Sequence, residues 1–283
     1  MKHQKSTLLF ACCMLLLPHL HSQERIDLLT AIEEDKIQVQ FESNGTSSEE
    51  CVFASLSNHS KDDLIITVSP GLQLASANST EQDILITREE EILVQSHSEE
   101  GIKLYGFCNQ PFNAVPVMDS QFRANGYGGK STIALAEHLN DHSYSPEIQQ
   151  EAVWSMSELP LAGIYNEEDP NSDRLRDFCA DLLGEEPPTY EVDYGDVLNT
   201  QFERQAHTFS GEFNYTITEA KRGTLTLYGP DGEEFVQYYE GMLLHPGRHT
   251  QNFEFSGTGL RPGNYRFVLY LNGEEQCEME MII

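Results

Sequence analysis

The sequence predicts a mainly β protein with a helical insert, arranged as two antiparallel Ig-like β-sandwich units. Three observations carry this expectation. Short apolar runs with period-two alternation fill residues 37–108, helical spacing replaces them over 131–183, and alternation broken by turn dipeptides returns over 205–283. A chain of 283 residues accommodates two domains.

The first 22 residues read as a secretory signal peptide. Lys2 and Lys5 form a basic start, residues 8–17 an apolar stretch, and Leu20-His21-Ser22 a cleavage site ahead of Gln23. Leu9-Phe10-Ala11-Cys12 has the look of a lipobox, but the apolar run continues past Cys12, which favours the secretory reading. That run is too short to span a bilayer, and no later segment reaches the roughly 20 apolar residues a transmembrane helix needs. The expected location is therefore secreted, periplasmic or at the cell surface.

Residues 23–185 form the first expected unit. Ile37, Val39 and Phe41 alternate with Gln38 and Gln40, and further strand-like runs fall at 51–56, 64–68, 84–87, 92–95 and 102–108. Ser43-Asn44-Gly45 and Pro70-Gly71 supply turns between them. From Ser131 the period becomes helical through Ile133, Leu135, Ala136 and Leu139. Ser145-Pro146-Glu147 opens a second helix with Ile148, Ala152, Val153 and Met156 inward. A third is expected over 173–183, capped by Ser172 and stopped by Gly184. The acidic, Pro187-Pro188-containing stretch 186–204 reads as a linker.

In the second unit, 205–283, Phe213, Tyr215 and Ile217, then Leu225 and Leu227, Phe253 and Phe255, and Tyr265, Phe267, Leu269 and Leu271 alternate with polar residues. Asn272-Gly273 is the strongest of its hairpin signals.

Composition excludes some functions. With 46 acidic against 17 basic residues the net charge is −29, which leaves no Lys/Arg face for nucleic acid and repels anionic membranes. Four cysteines follow the leader: Cys51, Cys108, Cys179 and Cys277. An even number in an exported chain is compatible with disulfides, and Cys51 with Cys108 is the preferred pair because both lie on strand-like runs of one unit. Their spacing matches no zinc site.

Other constellations are read by what they lack. Residues 124–131 fit a loose phosphate-binding loop, but no apolar strand precedes them and no magnesium-holding Asp follows, so a glycine loop with Ser131 capping a helix is expected. His138 and His142 stand one helical turn apart without a third ligand. Asp169, Asn171 and Asp173 copy the start of a calcium loop, whose required Gly and final Glu are replaced by Arg174 and Ala180. No Gly-x-Ser-x-Gly elbow is present. Asn44, Asn58, Asn78 and Asn214 begin sequons that carry no N-glycan in a bacterial protein. No metal, cofactor or catalytic residue is assigned, and the chain is not expected to be an enzyme.

Two segments resemble known families. Leu225-Thr226-Leu227-Tyr228-Gly229-Pro230-Asp231-Gly232, followed by Leu260-Arg261-Pro262-Gly263-Asn264-Tyr265, resembles the small Ig-like C-terminal domains of exported bacterial proteins, of the flagellar hook-cap and type IX sorting kinds. Phe107-Cys108 with Gln150-Glu151-Ala152-Val153-Trp154 resembles bacterial surface thioester domains. That resemblance implies a covalent adhesin in which the Cys108 thiol is joined to a Gln carboxamide carbon. No obvious Gln closes the bond: Val236-Gln237-Tyr238 resembles its setting but lies in the other unit. The leading expectation is an exported, non-catalytic protein of binding, adhesion or cell-envelope organisation. Its partner would be an unknown protein or glycan at the cell surface.

Overall fold

The computed structural model describes residues 24–157, 159–194, 206–261 and 263–282. The expected signal peptide and the later part of the expected linker lie outside the described residues.

The chain is mainly β, with several antiparallel sheets and few helices. It opens with β1 (Glu24–Asp27) and α1 (Leu28–Glu33), whose N-terminus is capped by Asp27 Oδ1 accepting from the Leu29 and Thr30 amides at 2.9 and 3.4 Å. Eight strands follow: β2 (Ile37–Asn44), β3 (Ser48–Asn58), β4 (Leu64–Val68), β5 (Leu72–Ser76), β6 (Ile84–Ile86), β7 (Glu90–Val94), β8 (Glu99–Cys108) and β9 (Met118–Tyr127). Six of them close on one another in the order β2-β3-β8-β6-β5-β9, with β9 pairing back to β2. The other two, β4 and β7, join β1 in the sheet β1-β4-β7, in which β1 runs parallel to β4.

A barrel thus stands where two facing layers were expected. Its closure depends on β5 and β9, which the apolar pattern does not announce. Most side chains of β9 are exposed or half-exposed, and its Gly126 takes φ +89°, so backbone pairing rather than an apolar stripe defines this strand. By joining β5 to β2 it removes the two free edges an open sheet would leave. The same strand absorbs residues 124–127 of the supposed phosphate loop.

Strand β6 and the second half of β8, from Leu104 to Cys108, are buried on both faces. Ile84, Ile86, Leu104 and Cys108 join the core shared by the barrel and the β1-β4-β7 sheet, while Leu85, Tyr105 and Phe107 pack into a second core made with the helices. Hence their runs are nearly continuous in apolar residues. Between Glu49 and Val52 the register of β3 on β8 slips, and the bulge leaves the consecutive residues Cys51 and Val52 both buried.

The helical insert comprises α2 (Lys130–Asp141), α3 (Pro146–Ser155) and α4 (Ser172–Leu183). Gly129 is the N-cap of α2, so Ser131 lies inside the helix, where its hydroxyl donates to the Leu182 carbonyl at 3.3 Å. Pro146 begins α3 as expected, and Gly184 ends α4 in the left-handed region at φ +72°.

Strand β10 (Tyr190–Asp193) occupies part of the expected linker. It pairs antiparallel with β11 (Thr208–Ile217), burying Tyr190 and Val192. The remaining strands are β12 (Lys221–Tyr228), β13 (Glu234–Leu244), β14 (Gly247–Ser256), β15 (Asn264–Leu271) and β16 (Glu274–Ile282). Sheets β10-β11-β14 and β13-β12-β15-β16 share one core, in which the Phe253 and Phe267 rings meet at 4.6 Å between centroids. Asn272 and Gly273, both at positive φ, form the β15–β16 turn. Arg176 of α4 ties the insert to β10 through Glu191 at 3.5 Å.

Candidate functional site

The end of β8 brings the sequence-singled residues together. Cys108 is fully buried, its amide donates to the Ser47 carbonyl at 3.0 Å, and its own carbonyl accepts from Gln150 Nε2 of α3 at 2.6 Å. Four residues further along α3, one helical turn away, Trp154 donates its indole N–H to Gln82 Oε1 at 3.1 Å. Gln82 stands two residues before Ile84, the residue paired with Cys108 across β6 and β8. Its carboxamide oxygen also accepts from the Gln110 backbone amide at 3.3 Å.

Helix α3 can present this face because everything from Ile148 to Ser155 is buried, polar residues included. A buried Gln is tolerated only with its amide engaged. Gln149 reaches the Tyr144 carbonyl at 2.8 Å and Gln150 the Cys108 carbonyl, whereas Gln150 Oε1 and Asn109 Oδ1 have no partner. The seam between helix and barrel therefore holds acceptors with hydrogen-bonding capacity left over.

Burial pushes the Cys108 thiol well above its ordinary value, and the neighbouring Cys51 adds to this. Burial likewise raises Cys51 to about 12. Both remain protonated at neutral pH, and the Cys51 thiol lies 3.5 Å from the Gly106 carbonyl. The expected Cys51–Cys108 disulfide is not formed: Cys51, Cys108, Cys179 and Cys277 are all free. The Cys51 sulfur faces the Gly106 carbonyl oxygen instead.

Gln82 was not singled out by sequence reasoning. It sits between acidic residues at the mouth of a three-residue strand, and only its position just ahead of Ile84 could have drawn attention to it. Gln237, by contrast, is in β13 and pairs with Thr226 inside the second unit.

Leaving β8, residues 109–117 form a loop held by the barrel. The Asn109 amide donates to the Asp83 carbonyl, Ala114 to Thr80, and Gln82 to Ala114, at 2.9–3.0 Å. Gln110 locks onto Asp83 through Nε2 and Oε1. On this fixed loop and its exit, Phe112, Val117 and Met118 are 75%, 61% and 63% exposed, the three most exposed large apolar side chains among the described residues. A cleft of about 680 Å³ opens beside it, lined by residues 44–50, Arg88, Tyr105 and Val115. The Arg88 guanidinium stacks over the Tyr105 ring at 3.8 Å.

The remaining constellations resolve into structural roles. His138 stacks on His142 and on Phe178, at 4.1 and 3.8 Å, and its Nε2 meets the Tyr144 hydroxyl at 2.7 Å. Among the described residues no group of three or more His, Cys, Asp or Glu is arranged to hold a metal ion. Both Asp169 carboxylate oxygens are taken by the Ser145 and Asn171 amides, at 2.7 and 2.9 Å. Asn58 is buried, with its amide nitrogen donated to the Asp62 and Val94 carbonyls. No helix among the described residues is long and apolar enough to cross a membrane.

Comparison with models of known families finds none that matches the chain, and a search of curated proteins likewise finds no match.

Proposed function

We propose that the chain is an exported, non-catalytic binding protein acting in adhesion or cell-envelope organisation. In this reading its C-terminal unit is an Ig-like sandwich, its two sheets facing across the shared aromatic core. The observation that carries the proposal is the 109–117 loop. Soluble surfaces leave large apolar side chains singly scattered, and three strongly exposed ones, two on this held loop and one at its exit, support an interaction site. Fractionating source cells and assaying the mature chain against a panel of extracellular substrates tests it. The expected outcome is recovery outside the cytoplasm, without residues 1–22 and without turnover. Hydrolysis abolished by a single cleft substitution overturns the reading.

A second reading, covalent capture, is favoured by the hydrogen bonds on Gln82. Two N–H donors aimed at one carboxamide oxygen polarise its carbon and would stabilise charge developing on that oxygen. Attack by the Cys108 sulfur at Gln82 Cδ would form the S–C bond, break the C–N bond, and release ammonia carrying the thiol proton. A primary amine would then take the acyl group and return the free thiol. Intact-mass measurement reads this directly: the thioester form is lighter by one ammonia, takes up methylamine, and does neither in Cys108→Ala. A mature chain at its full calculated mass that takes up no methylamine ends this reading.

A further inference from the structure

We infer that the 109–117 loop and the adjoining cleft dock a basic segment of a partner protein, with apolar side chains on the loop and Lys or Arg side chains at the cleft rim. This rests on the binding reading above and supplies the partner's chemistry. The two surfaces are continuous: Val115 of the loop lines the cleft, and Met118 at the loop exit pairs with Asn44 on its wall. Backbone hydrogen bonds into β6 and its approach keep the loop in place, so little ordering would be needed on binding.

Charge identifies the occupant. Glu49 on the cleft wall and Asp119, next to Met118, are both exposed, and no cation lies within ion-pair distance of either among the described residues. Glu50, by comparison, is matched by Lys103 at 2.7 Å, and Arg88 lies over the Tyr105 ring. Glu49 and Asp119 also hold left-handed backbone conformations, at φ +64° and +65°. For Glu49 this is costly, since a Glu gains none of the local compensation that Asp or Asn finds there. One unmatched carboxylate thus stands on the cleft wall and another beside Met118 at the loop exit. A net charge of −29 steers cations toward them and anionic surfaces away.

The test uses the mature chain and a fluorescent peptide of alternating lysine and leucine, at about 0.15 M salt. Its counterpart with glutamate for lysine and neutral phosphatidylcholine vesicles serve as rival occupants. The lysine peptide is expected to bind and the other two not. Phe112→Ser with Val117→Ser, and Glu49→Gln with Asp119→Asn, should each weaken binding by about tenfold or more. Met242→Ser with Leu243→Ser, removing exposed apolar residues of β13, should leave it unchanged. Equal affinity in the loop and rim variants, or equal binding of the glutamate peptide or of vesicles, overturns the inference. Binding to source-cell envelopes separates the two levels. If Phe112→Ser with Val117→Ser abolishes envelope binding but the peptide is ignored, only the basic partner is lost; if envelope binding persists in that variant, the loop itself is not the site.

Discussion

Trp154 on α3 donates an indole N–H hydrogen bond to Gln82 Oε1 at the entrance of β6, a 3.1 Å contact between residues 72 positions apart. Together with the Gln150 hydrogen bond to the Cys108 carbonyl, it fastens the helical insert to the barrel at two points one helical turn apart.

Trp154→Phe keeps most of the apolar volume and removes this donor. Gln82 Oε1 retains the Gln110 amide, so the expected loss is about 1–2 kcal/mol in urea unfolding. Combined with Gln82→Met, the effects should be non-additive by more than about 0.5 kcal/mol. Strict additivity would mean the two side chains do not act as a pair.

Acid should weaken the α2–α4 packing. Burial, then the neighbouring charges of His142 and Arg174, lower His138 from 6.5 to about 4, with Asp141 opposing. The folded state thus prefers the neutral ring. Its contribution is complete above pH 6.5 and drains as pH falls from there toward 4. Stability measured across that window should fall less steeply in His138→Gln than in the wild-type chain. Parallel curves would remove the ring from the explanation.

Two glycines of β8 should respond differently to alanine. A Cβ on Gly106 would lie 2.6 Å from the Leu85 carbonyl oxygen, a backbone atom of a paired strand, whereas on Gly101 it would meet the tip of the Phe53 ring. Phe53 is 42% exposed and can swing outward. Gly106→Ala should cost about 1–3 kcal/mol and Gly101→Ala less than about 0.5, compared by denaturation midpoints. Equal costs would contradict the difference between backbone and side-chain obstruction.

Native thiol labelling should select Cys277. It alone of the four is partly exposed, while Cys51, Cys108 and Cys179 are buried. At mildly alkaline pH, mass spectrometry should find one label in the native mature chain and four after urea without reductant. Two missing labels in urea, restored by reductant, would show a disulfide.

How much of this was legible varies with the kind of burial. The apolar runs at Ile84-Leu85-Ile86 and around Phe107 announced strands, and Gly184 and Asn272-Gly273 announced their turns, because each records a local constraint. Strand β9 was hidden because its pairing uses backbone on a largely polar segment. Tyr190 and Val192 do alternate with Glu191 and Asp193, but four residues inside an acidic stretch read as linker. At the site, Cys108, Gln150 and Trp154 stood out as motif fragments. Gln82 did not, since its role exists only once α3 has crossed the barrel.

Trp154 is also the chain's sole tryptophan, 4% exposed in the seam. Its emission, excited at the red edge of the absorption band, is therefore an intrinsic optical gauge of whether helix and barrel remain joined. The C-terminal unit carries tyrosine and phenylalanine but no tryptophan and stays dark at that wavelength. Separation of α3 from the barrel can therefore be followed without interference from the second unit, with no label attached.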